Sequence, residues 1–85
     1  MPTISMFYGI IIRMYYTDHE PAHIHAYYGK NVASFDFNGK ILAGFMPAKQ
    51  TKLIQAWILL HKEDLAANWE LSKNSEIPFK IQPLI

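Results

Sequence analysis

The chain has 85 residues, 51% of them hydrophobic, with eight basic side chains against seven acidic ones and a net charge of +1. That is enough apolar material for one globular domain, residues 1–85, and too little for two. The balanced charge forms no basic stripe, so strong phosphate-driven nucleic-acid binding is excluded and RNA contact is not indicated beyond a localised one; the absence of Cys excludes disulfides, thiolate catalysis and Cys-based zinc sites.

Pro2, Ser5 and Arg13 interrupt the N-terminal segment, which has neither the basic leader nor the apolar stretch of a signal peptide. Ala56 to Leu60 is the longest apolar run, far short of the ~20 residues a spanning helix needs. No membrane partner is expected, and the cytoplasm is the expected location. A domain this small has a thin stability margin, and five Phe, five Tyr and two Trp supply spare aromatic surface. A protein partner or homo-oligomerisation is therefore expected.

Thr3 to Tyr8 reads as a short apolar strand, separated by Gly9 from a second run, Ile10 to Thr17. In that run Ile10, Ile12, Met14 and Tyr16 share one face and Ile11, Arg13, Tyr15 and Thr17 the other. Both faces are mostly apolar, which predicts a central strand covered on both sides. Asp18-His19-Glu20-Pro21 breaks the pattern into a loop, because Pro21 pushes Glu20 away from helical geometry. A third strand is expected over His23 to Tyr28, stopping at Gly29-Lys30-Asn31. Val32 to Phe37 and Lys40 to Met46 flank Asn38-Gly39, the preferred pair for a type I′ hairpin turn with positive φ at both central residues.

From Ala48 the period changes. Leu53, Ile54, Trp57, Ile58, Leu60 and His61 recur at helical spacing behind Pro47. Glu63 to Lys73 continues as helix with Leu65, Ala66 and Trp69 on one side, and Lys62-Glu63-Asp64 is the expected junction or bend. Asn74-Ser75 ends the helical run. The tail from Ile77 carries Pro78 and Pro83 and reads as an extended arm or edge strand, pairing either within this sheet or with another chain. The expected fold is α+β: a five-stranded, mainly antiparallel sheet, then two helices or one bent helix, then a short extended arm. The Trp57-bearing helix is the natural cover for one sheet face.

Chemistry concentrates in His19 to Tyr27, which holds three of the four histidines. On a strand His23, His25 and Tyr27 share a face, leaving Ile24, Ala26 and Tyr28 to the core. Two neighbouring imidazoles can serve in three ways. They can exchange protons in a metal-free phosphoryl transfer, with Arg13, Lys30 or Tyr27 holding a phosphate. They can ligate zinc, with His19, Asp18, Glu20 or His61 as third ligand, although the spacing alone assigns no metal site and no cofactor. The plainest reading is structural or interfacial, with the rings bonded to the 18–22 loop and Tyr27. His19, Arg13, Lys30 and Trp69 are the candidates for contacting a partner or phosphate. Trp57 reads as core, whereas Trp69, among Asn68, Glu70 and Ser72, is the better candidate for an interface anchor, with core packing as its alternative. No Walker loop, dinucleotide fingerprint, nucleophile elbow or HExxH motif occurs.

The opening Met1-Pro2-Thr3-Ile4-Ser5 with Phe7-Tyr8-Gly9-Ile10, the His19 to Gly29 stretch, and Leu60-His61 with Asp64-Leu65 and Asn68-Trp69 together resemble the bacterial domain-of-unknown-function family 4160. The family motif resembles His-x-Pro-Pro-His-Phe-His-Ala-x-Tyr-Gly. Pro21, His23, His25, Ala26, Tyr28 and Gly29 match it, while Ala22 stands for the second proline and Ile24 for the Phe. The resemblance implies a bacterial protein often encoded beside a small partner of the domain-of-unknown-function family 2442, a pairing proposed to be toxin and antitoxin. It carries over no catalytic residues. The expected function is thus a toxin-like component that binds a small cognate antitoxin and restrains growth when free. Its rivals are a metal-independent ribonuclease using His23 and His25, and a non-catalytic protein-interaction module.

Overall fold

Alternating apolar residues in the first half and a 3.6-residue period in the second sort the chain into a sheet and its cover. A computed structural model describes residues 2–16 and 18–85; Met1 and Thr17, the latter the expected end of the second strand, lie outside the described residues. Among the described residues the order is β1 (Thr3–Phe7), β2 (Ile10–Arg13), β3 (His23–Tyr28), β4 (Asn31–Asp36), β5 (Ile41–Gly44), α1 (Ala48–Leu60) and α2 (Lys62–Lys73). The strands form one antiparallel meander in chain order, β1-β2-β3-β4-β5. The expected α+β architecture is the one observed.

One face of the meander is buried. Ile4, Ile10, Ile12, Met14, Ile24, Ala26, Ala33 and Phe35 point into a core closed by Ile54, Trp57 and Ile58 of α1 and Leu65 and Trp69 of α2. The opposite face is left open, so β2 is covered on one side and not on both: Ile10 and Ile12 are buried while Ile11 and Arg13 stay partly exposed. Strand pairing stops at Arg13, short of Thr17, because the chain leaves the β3 ladder there to begin the 18–22 loop. Met14 nonetheless stays fully buried, and its N–H donates to the Pro2 carbonyl at 3.3 Å.

The Asn38-Gly39 hairpin forms, but with a different turn. Gly39 has φ +86 and Asn38 is not in the left-handed region. The Gly39 N–H donates to the Asp36 carbonyl (3.0 Å), and one carboxylate oxygen of Asp36 accepts from the N–H groups of both Asn38 and Lys40 (2.9 Å each). That bonding makes a type I turn followed by a left-handed glycine, the usual three-residue loop. Asp36 decides the outcome by satisfying donors that a type I′ turn would leave to solvent. Positive φ at two successive residues occurs instead at Tyr8 (50) and Gly9 (78), between β1 and β2. β5 ends at Gly44, two residues earlier than expected: its φ is +85, and a Cβ there would sit 2.1 Å from the Val32 carbonyl oxygen.

The two helices meet at His61 alone, one residue before the expected junction; His61 has φ −121 and ψ 27. Its N–H closes α1 on the Trp57 and Ile58 carbonyls and its carbonyl accepts the Leu65 N–H, opening α2. The turn in direction rotates the helix faces. Leu60 is 67% exposed rather than buried. On α2 the inward face is Leu65, Asn68, Trp69 and Ser72, with Ala66 outside. Asn68 is fully buried because it acts as a peptide surrogate: its amide donates to the Phe79 carbonyl (2.8 Å) and accepts the Phe79 N–H (2.9 Å).

This clamp settles the C-terminal arm. It runs back along its own domain, with the Trp57 indole N–H donating to the Gln82 carbonyl (2.8 Å) and the Ile81 N–H to the Ile4 carbonyl of β1 (2.7 Å). An Asn68→Ala substitution orphans two backbone groups beneath the arm, and a loss of about 2 kcal/mol is expected. Amide exchange should accelerate first at Phe79 and Ile81, ahead of the sheet; unchanged exchange there would show that the clamp does not hold the arm.

Candidate functional site

The site lies where β3 emerges from the 18–22 loop. His23, at the first position of β3, is only 5% exposed, enclosed by the loop and by the Trp69 indole, whose ring centroid is 5.4 Å away. His25, two residues on, opens onto the uncovered face, paired across the sheet with Arg13 on one side and Ser34 on the other. Alternation along the strand thus brings the two rings together with centroids 5.0 Å apart, as the His-x-His spacing predicts.

Asp18 joins them. Its Oδ2 lies 2.9 Å from His23 Nε2 and 3.3 Å from His25 Nε2, while its Oδ1 accepts the His19 N–H at 2.9 Å. His23 Nδ1 is 2.7 Å from the Pro21 carbonyl oxygen. A carbonyl only accepts, so Nδ1 carries a proton. His23 Nε2 faces the Asp18 carboxylate. Glu20, whose carboxylate accepts the Trp69 indole N–H at 3.1 Å, holds the loop over the site.

The environment separates the titrating groups. Burial alone would raise the Asp18 carboxyl, but the His19 N–H, the His25 ring and the nearby His23 together hold it below the ordinary carboxylate value. Burial, aided by the His23 and His19 rings, holds the His25 imidazole below its ordinary value against the pull of Asp18. Burial and the hydrogen-bonded Tyr15 hydroxyl raise the Tyr27 phenol, with Arg13 opposing. Near neutral pH this combination keeps an ionised carboxylate beside a neutral His25 ring and a protonated phenol.

The other expected site residues divide. Arg13 flanks the site, with its guanidinium 5.0 Å above the Tyr27 ring and its Nε donating to Thr3 Oγ1 at 3.4 Å. Tyr27 shares the open face but its hydroxyl is engaged by Tyr15. His19 stands exposed at the mouth of the cleft. Lys30 sits in the β3–β4 turn, at the far end of β3 from His23, and takes no part. Trp69 is 4% exposed and forms the floor beneath His23, so it packs in the core rather than anchoring a partner. Of the third ligands weighed for a metal, Glu20 is turned to Trp69 and Lys73, and His61 packs on Trp57 near Asp64 at the helix junction. Asp18 alone joins the pair. Sequence reasoning did not single out Tyr15, Ser34, Leu42 and Ala43. The first could have been found from its place beside Arg13 on one face of the expected second strand, whereas the others arrive only through strand pairing.

A cleft of about 380 Å³ opens over the cluster, lined by Asp18, His19, Pro21, His23, His25, Ser34, Leu42 and Ala43. A family model described as Domain of unknown function (DUF4160) matches residues 9–70. The chain belongs to this family. No curated protein and no solved structure gives a match. The DUF4160 span runs from the β1–β2 turn into α2, so it contains every residue that lines the cleft as well as the Trp69 floor, and leaves β1 and the C-terminal arm outside. Among the described residues no helix is long and apolar enough to cross a membrane.

The directions of the two shifts set how Asp18 and His25 contribute to stability as pH changes. Unfolded, His25 titrates near pH ~6.5 and Asp18 near ~3.9; folded, both bind protons only at lower pH. The unfolded chain therefore holds more protons as acid is added, and stability falls, first below pH ~6.5 through His25 and then below ~3.9 through Asp18. Urea midpoints at neutral, mildly acidic and strongly acidic pH should decline in that order, and Asp18→Asn should flatten the most acidic part. A midpoint that rises on acidification through the imidazole range would contradict this assignment for His25.

Proposed function

We propose that this DUF4160 chain is the toxin-like member of a two-protein module: it binds a small cognate protein, of the kind expected from the domain-of-unknown-function family 2442, and restrains growth when that partner is absent. The observation that carries the reading is the continuity of an apolar edge with the histidine cleft. β5 is an edge strand with every residue exposed, and Ile41, Leu42 and Phe45 on or beside it are 36%, 39% and 65% exposed. Leu42 and Ala43 of the same strand line the cleft over Asp18, His23 and His25. A partner adding a strand to this edge would bury those side chains and cover the cleft in one step. Neutralisation by occlusion follows from that placement.

The metal-independent ribonuclease reading has less support. His23 is enclosed, with Nδ1 on the Pro21 carbonyl and Nε2 turned to Asp18, and His25 Nε2 is also turned to Asp18. A proton-transfer pair has to present nitrogens to the substrate instead. Of Arg13, Lys30 and Tyr27, the expected phosphate holders, Lys30 is at the other end of the strand.

Induced expression in a bacterial host is expected to arrest growth, and co-expression of the protein encoded beside it to relieve the arrest. Phe45→Lys, beside the exposed edge and outside the cleft lining, should leave the arrest intact while weakening relief, since it places an unpaired charge in the docking surface. Normal growth at a verified soluble level of the wild-type protein would overturn the toxin reading and leave an interaction module.

A further inference from the structure

We infer that Asp18, His23 and His25 form a three-ligand site for a divalent transition-metal ion of the zinc class, with its fourth position open to the cleft. One donor atom from each residue lies within 4.8 Å of the other two. Tetrahedral coordination with bonds of about 2.0–2.1 Å requires donor atoms about 3.3 Å apart. Asp18 Oδ2 is already 2.9 Å from His23 Nε2 and 3.3 Å from His25 Nε2, so two of the three donor separations are close to that spacing, and the third lies within 4.8 Å.

The surroundings of the three donors are those of a ligand set. The Pro21 carbonyl takes the His23 Nδ1 proton at 2.7 Å, which fixes the ring and the tautomer with Nε2 as the free donor. The His19 N–H holds Asp18 Oδ1 at 2.9 Å, leaving Oδ2 for the ion. Trp69 and the 18–22 loop enclose His23, so its orientation is set by packing. Two imidazoles and one carboxylate suit zinc and its first-row neighbours rather than magnesium or calcium, which prefer all-oxygen shells. Three protein ligands beside a cleft of about 380 Å³ correspond to the open, water-bearing kind of site rather than the closed structural kind.

The inference stands apart from the toxin reading, because it is tested on the purified full-length chain without cells or partner. Zinc titrated into metal-free protein near pH 7.5 is expected to bind at one ion per chain. Long-range proton–nitrogen NMR should show zinc moving the Nε2 signals of His23 and His25 and sparing His61. His25→Ala and Asp18→Asn should each weaken zinc at least ~10-fold, no less than the loss of an outer-shell partner causes. His61→Ala, remote from the cleft, should bind as the wild type does. Absence of saturable binding at one ion per chain, or zinc-induced shifts at His61 in place of His23 and His25, would overturn the site. Because the NMR arm uses the wild-type protein, the result does not depend on the variants folding.

Discussion

A meander of five strands in so short a chain can be covered on one face only, and the rest of the molecule follows from that one-sided burial. The two helices contain enough apolar surface to close over Ile10, Ile12, Ile24, Ala26, Ala33 and Phe35. The other face is left to Arg13, His25, Tyr27 and Ser34, side chains that tolerate water. A central strand of such a sheet is rigid because it is paired on both sides, yet one row of its side chains remains accessible. β3 is that strand, and it presents the histidines.

The covered face also serves the site directly. Trp69 reaches from α2 to lie against His23 and to bond Glu20, so the helix layer and the 18–22 loop are fastened to each other through the residues that surround the cluster. The C-terminal arm adds a second fastening at the opposite margin, where Asn68 and Trp57 hold it against β1. With the arm lying alongside β1, β5 is left as the accessible edge of the sheet. The cleft opens beside that edge. The open edge and the histidine cluster thus share a border.

Buried acceptors explain why the cluster is more than a pair of neighbouring rings. His23 meets a carbonyl on one nitrogen and a carboxylate on the other, and Asp18 gathers His25 as well. Such a convergence of donor atoms in a partly desolvated place is costly unless a proton or a metal ion sits within it. The arrangement is therefore poised to bind a cation.

Much of this was legible in the sequence because it depends on local rules. Periods of two and of 3.6 residues located the five strands and the helical half, Asn38-Gly39 located a hairpin, and His-x-His on a strand placed both imidazoles on one face. What failed depended on groups distant in the chain or on side chains completing the backbone. Asp36 capped the β4–β5 turn and changed its type, His61 alone separated the helices, and Asn68, which reads as a polar helix position, is buried because Phe79 returns to meet it. The sequence offered Asp18 with His19, Glu20 and His61 as the possible third ligand and could not choose among them, since the five-residue distance between Asp18 and His23 closes only when the loop folds back. Sequence determined which elements form and which side chains share a face, because those follow from neighbouring residues. Tertiary structure decided which face stays open, which tryptophan is floor rather than anchor, and which carboxylate completes the histidine pair, because each of these requires packing between segments that the chain brings together only on folding.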